Sequence, residues 1–142
     1  MKKYFKYLPY VIFSLAFFGT LGSLFASEVL KLPPCVLCWY QRIAMYPIAA
    51  ITAIGILLKD KNLPLYILPL SLFGWGTALY HNLLYYNILT ESIAPCQQGI
   101  SCTTQQLLWF GFFTIPLGSL IIFTLINICT IILLKQAKKN NA

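Results

Sequence analysis

The chain has 142 residues, 59% of them hydrophobic and 9% charged, with a net charge of +7. A soluble domain averages about 25% charged residues, so this composition excludes a water-soluble fold and indicates an integral membrane protein. The positive balance does not indicate nucleic acid, because the basic residues flank apolar runs instead of forming one surface, as membrane topology signals do.

Four apolar runs of helix length are expected, at about residues 7–29, 39–58, 63–86 and 107–134. Backbone groups cannot go unpaired in lipid, so each run should be a helix. The fold class is therefore all-α: a polytopic membrane protein with an antiparallel four-transmembrane-helix bundle as its single domain. The first run follows lysines, as a signal peptide would. It is long for a signal core of about 7–15 residues, and cleavage after Ala26 would place Leu24 where a small residue is wanted. A retained span is expected. Pro33 and Pro34 close it, since two prolines cannot continue a helix.

Lysines orient the bundle. Lys2, Lys3 and Lys6 precede the first run, Lys59 and Lys61 join the second and third, and Lys135, Lys138 and Lys139 follow the fourth. These are eight of the ten basic residues. The positive-inside rule puts both termini and the Lys59–Lys61 turn in the cytoplasm. The connections holding Cys35/Cys38 and Cys96/Cys102 then face outward. Tyr4, Tyr7, Trp39, Tyr40, Tyr85, Tyr86 and Trp109 lie near span ends, as interfacial aromatics do.

Cys35-Val36-Leu37-Cys38 opens the second run. Unpaired N–H groups and the helix dipole favour a thiolate at such a position. Arg42 lies one turn deeper on the same face as Cys38 and brings a charge that cannot be shed. A charge at that depth is a functional candidate, although Arg42 could instead snorkel to the headgroups. A structural clip is a poor reason for Cys35 and Cys38, because so short a loop constrains the unfolded chain little. A zinc site made from the four outer cysteines has suitable ligands. Arg42 would oppose the cation and an outward location favours disulfides, so no metal is expected.

The connection around residues 87–106 is long for a loop between neighbouring helices and carries Cys96 and Cys102. Joined, the two would close a small ring in water, open to attack by an outside thiolate. They could also simply staple the loop. Of the remaining candidates, His81 is expected at the depth of the first pair, bonding either an acceptor carbonyl or a neighbouring helix or water. Glu91 is read as a solvated loop charge, Cys129 as a small buried hydrophobe, and Phe73, Gly74, Trp75 and Gly76 as helix packing.

The stretch Pro34-Cys35-Val36-Leu37-Cys38-Trp39-Tyr40-Gln41-Arg42-Ile43, with Met45-Tyr46-Pro47 after it and Tyr80-His81 late in the third run, resembles the DsbB family of disulfide bond formation proteins, especially its short BdbC-like branch. The resemblance spans essentially the whole chain. It implies a thiol:quinone oxidoreductase of the bacterial cytoplasmic membrane, with a DsbA/BdbD-type thioredoxin-fold partner that supplies disulfides to secreted proteins. It further implies that Cys96 forms the mixed disulfide with the partner and Cys102 resolves it. Cys35 would exchange with that pair, Cys38 would be the thiolate facing the quinone (ubiquinone or menaquinone), and Arg42 would support the developing negative charge. A vitamin K epoxide reductase-like quinone reductase and a non-catalytic scaffold with structural disulfides are the alternatives.

Overall fold

The computed structural model describes residues 6–31, 34–89 and 114–141. They form four helices: α1 (Leu8–Glu28), α2 (Val36–Leu58), α3 (Leu63–Tyr85) and α4 (Ile115–Asn141). All four are long and apolar enough to cross a membrane. At 1.5 Å per residue, the 23 residues of α2 reach about 35 Å, enough for a hydrocarbon layer of about 30 Å. The protein is a multi-pass membrane protein.

Local chemistry sets the helix ends. Prolines stand in the first turns of α1 and α3, where a missing N–H costs nothing. Lys31, Lys59 and Asn87 follow the first three helices, each with a positive φ (51°, 52° and 55°). At the α2–α3 turn, Lys59 N–H bonds back to Ile56, Asp60 N–H to Gly55, and the Asp60 carboxylate accepts from the Asn62 N–H at 2.8 Å. α2 starts three residues before the expected boundary, and α4 continues beyond residue 134 into the lysine tail. Lys135, Gln136, Ala137, Lys138 and Lys139 are all good helix formers, so the helix outlasts the apolar run. The expected start of the fourth span at residue 107 lies outside the described residues.

Consecutive helices pack side by side and α1 closes the ring against α4. A shallow groove lined by Pro9, Asp60, Lys61, Leu133 and Gln136 shows that the start of α1, the α2–α3 turn and the end of α4 share one end of the bundle. The main core contains Ile12, Ala16, Ala44, Ile48, Ile67, Ala78, Phe123 and Ile126. Lipid tails are as apolar as these side chains, so tight packing and interhelical hydrogen bonds carry association. Phe123 lies against the bare backbone of Gly74. Ser71 donates to Asn127 Oδ1 at 2.8 Å, Trp75 Nε1 to Thr124 at 3.1 Å, and Asn82 Nδ2 to the Pro116 carbonyl at 2.8 Å. Two of the expected packing residues behave otherwise: Phe73 is exposed, and no described residue approaches the position of a Cβ on Gly76. Both are on the α3 face turned away from its neighbours. Cys129 is partly buried and packs against the main core.

Candidate functional site

The sequence Pro34-Cys35 ends an extended approach and begins a helix. Cys35 is the N-cap of α2, with extended φ/ψ of −69° and 167°, and its sulfur accepts from the Cys38 backbone N–H at 3.4 Å. The two sulfurs lie 2.9 Å apart. From α3, His81 brings Nε2 to 3.8 Å from the Cys35 sulfur. Gln41, one turn into α2, places its amide nitrogen 3.2 Å from His81 Nδ1. Cys35, Gln41 and His81 are all buried. The Cys38 thiol, the nearby His81 ring and the Cys38 N–H, against the opposing effect of burial, hold the Cys35 thiol well below its ordinary range. In the dithiol form this favours charge on Cys35, the N-cap. The reason is geometric: the capping sulfur receives the first-turn N–H, and Cys38 is the residue that donates it.

Cys38 faces elsewhere. With Arg42 it lines a cavity of about 310 Å³ between α1, α2 and α4, whose walls include Phe18, Gly19, Gly22, Ser23, Met45, Tyr46, Ile115 and Ile122. The Arg42 guanidinium does not reach for the headgroups. It is buried and crosses to α1, donating from Nε to Ser23 Oγ at 2.7 Å and from its terminal nitrogen to the Ser23 carbonyl at 2.8 Å. Its Cζ lies 5.4 Å from the Trp39 ring centroid, within cation–π range. Two of its five donors are thus used on Ser23, leaving a charged donor group at the cavity wall. Thr20 lines the same cavity, and its hydroxyl is buried without a hydrogen-bond partner among the described residues.

The structure brings Cys35, Cys38, Arg42 and His81 to one end of the bundle. His81 bonds Gln41 of the neighbouring helix, one of the two roles expected of it, and lies behind Cys35, outside the cavity wall. Cys96, Cys102 and Glu91 lie outside the described residues, as do Tyr4 and Trp109. Ser23, Thr20 and the bond from Gln41 to His81 were not anticipated. The available signal for the first two was a hydroxyl in an otherwise apolar first run. The Cys35 and Cys38 sulfurs and a His81 ring nitrogen all lie within 4.8 Å of one another. Chemically, the arrangement supplies a vicinal dithiol, one sulfur poised as a thiolate, the other beside an apolar slot with a fixed positive charge.

The family model "Disulfide bond formation protein DsbB" matches residues 6–133. The chain belongs to the DsbB family. It is 43% identical to a probable disulfide formation protein C of Halalkalibacterium halodurans over 82% of this chain and 85% of that one. It is also 43% identical to the SPbeta prophage-derived disulfide bond formation protein B of Bacillus subtilis, covering 97% and 95% of the two chains. The disulfide bond formation protein C of the same organism is 41% identical, over 87% and 88%. No solved structure matches the chain. DsbB-family membership makes the protein a membrane thiol oxidoreductase with a role in disulfide bond formation, the chemistry to which the Cys35–Cys38 dithiol is suited.

Proposed function

We propose that the protein reoxidises the dithiol of a thioredoxin-fold thiol oxidase of the DsbA/BdbD type outside the cytoplasm, and that a membrane quinone takes the electrons. The observation that carries this reading is the cavity with Cys38 and Arg42 in its wall. An apolar slot with a few placed polar groups suits a small planar ligand. The unpartnered Thr20 hydroxyl and the spare Arg42 donors are the polar groups a carbonyl ligand needs, so the residues present fit a quinone ring. A quinone bound there accepts two electrons and two protons. The protein's part is to hold the ring beside Cys38, exclude water from it, and offset negative charge with Arg42.

Exchange starts at the other pair. In this proposal Cys96 accepts the partner as a mixed disulfide, Cys102 resolves it, and Cys35 takes over the reduced pair's electrons by thiol–disulfide exchange. Cys38 then closes the Cys35–Cys38 disulfide as the electrons leave. The lysine distribution supports placing both termini in the cytoplasm and the cysteines outside. The test is purified protein with a reduced thioredoxin-fold partner and quinone, followed by quinone absorbance. Stoichiometric loss of the quinone band with partner oxidation is expected. Partner oxidation that proceeds equally well without quinone sinks the proposal.

A further inference from the structure

We propose that His81 serves Cys35 as a hydrogen-bond donor to its thiolate, and that Gln41 is the positioning residue that sets the His81 ring for this task. The inference deepens the thiol-exchange reading above and rests on it. His81 is only 3% exposed, so water does not satisfy its ring. Among the described residues, its two ring nitrogens have one polar neighbour each: Gln41 at Nδ1 and Cys35 at Nε2. An amide nitrogen donates, so Nδ1 accepts and the ring proton stands on Nε2, facing the sulfur. The Cys38 backbone N–H and the Cys38 thiol approach the same sulfur. Two N–H donors drawn from two helices thus converge on one buried sulfur. That arrangement has a purpose only if the sulfur carries negative charge during turnover.

The step it serves is exchange. When Cys35 is held in a mixed disulfide, a thiolate attacks the far sulfur and a new S–S bond forms. The old S–S bond breaks, and its electron pair leaves on Cys35. No net electron or proton is lost from the sulfur atoms in that step. A leaving thiolate that meets two ready N–H donors leaves faster, because exchange rates rise as the leaving thiol's pKa falls. His81 contributes through α3, which lets the packing of α2 on α3 set the reactivity of Cys35. Gln41, which also lines the cavity, has no hydrogen bond to the sulfur and acts on it through the ring.

The test reads Cys35 directly and needs neither quinone nor partner, so its failure is distinguishable from failure of the quinone reading. The full chain in detergent is reduced, and alkylation of Cys35 by iodoacetamide is followed against pH by site-resolved mass spectrometry. Among the described residues, the ionisable or charged groups around Cys35 are Cys38 and Arg42 on its own helix and Tyr80 and His81 on α3, all kept except where varied. His81→Phe and Gln41→Leu should each raise the alkylation midpoint by about one pH unit, which is tenfold in thiolate fraction at a fixed pH. His81→Gln, whose amide can donate, should restore much of the shift. Gln41→Leu should then have no further effect in the His81→Gln background, because an amide has no ring tautomer to set. An unmoved midpoint in His81→Phe overturns the proposal. So does a Gln41→Leu shift of equal size in both backgrounds, which would mark Gln41 as packing alone. If His81→Phe does not fold, the comparison of Gln41→Leu with and without His81→Gln decides the matter by itself.

Discussion

Arg42 shows how a costly residue is held in place. A guanidinium near hydrocarbon needs partners, and Ser23 supplies two, one from its side chain and one from its backbone. Arg42→Lys keeps the charge but cannot reproduce the paired geometry, so it should recover only part of the activity lost in Arg42→Gln. The measurement is quinone reduction against quinone concentration. Equal activity of Arg42→Gln and the parent, with normal membrane insertion, would reduce Arg42 to a strut between α1 and α2. Thr20→Val tests the cavity more gently, since it removes one hydroxyl and keeps the shape. Loss of one neutral hydrogen bond, about 1 kcal/mol, should raise the quinone requirement about fivefold and leave kcat with a small dithiol unchanged. The lowered Cys35 value also has a sign. A thiol whose folded pKa is depressed contributes stability that is present above the unfolded pKa, near 8.5, and is lost as pH falls through the folded value. The reduced protein should therefore lose stability relative to its Cys35→Ala variant on acidification, measured by thermal unfolding across pH.

At the scale of helices, glycine placement separates packing from function. Gly74 faces the Phe123 ring, and an added Cβ would overlap it. Gly74→Ala should destabilise the bundle by about 1–3 kcal/mol, whereas Gly76→Ala, where nothing is near, should be neutral or slightly stabilising. Thermal unfolding in detergent reads both, and a reversed order would mean α3 is rotated relative to α4. Gly22 lines the cavity, and no described residue stands within 4 Å of where its side chain would begin. Gly22→Leu should leave unfolding unaffected while raising the quinone requirement more than tenfold. Normal quinone kinetics in a folded Gly22→Leu protein would move the acceptor out of this slot. These contrasts also mark the boundary of what the sequence discloses. Apolar run lengths, prolines and lysines made the four helices legible, and the dithiol with Arg42 one turn on made the site legible. Rotation of one helix against another was not, because four nearly uniform apolar helices carry little periodic signal. So Gly74 and Gly76 looked alike, Ser23 had no visible claim on Arg42, and the Gln41–His81 bond required knowing how α2 meets α3.

Taken as a whole, the molecule has one reactive end. The dithiol, Arg42 and His81 gather where α2 begins and α3 ends, while Lys59, Lys61 and the lysine-rich end of α4 occupy the opposite end. The architecture proposed here keeps electrons on one side of the membrane and moves them sideways, from a protein in water to an acceptor in lipid. In that proposal Cys35 and Cys38 serve the second contact: Cys35 is buried, and Cys38 lines the cavity. A folded protein partner could not readily reach a sulfur in that position. The proposed relay therefore needs a second pair, a role it gives to Cys96 and Cys102, which lie outside the described residues. Cys96→Ser or Cys102→Ser should stop oxidation of a thioredoxin-fold partner. Either variant should still couple oxidation of a small dithiol, which can reach Cys35 unaided, to quinone reduction. Cys129→Ala, in the packed middle of α4, should alter neither activity. Both substrates are assayed with the same quinone band. If the Cys96 and Cys102 variants lose small-dithiol oxidation as completely as partner oxidation, the two pairs do not work in series, and Cys35 must depend on the second pair for its own chemistry.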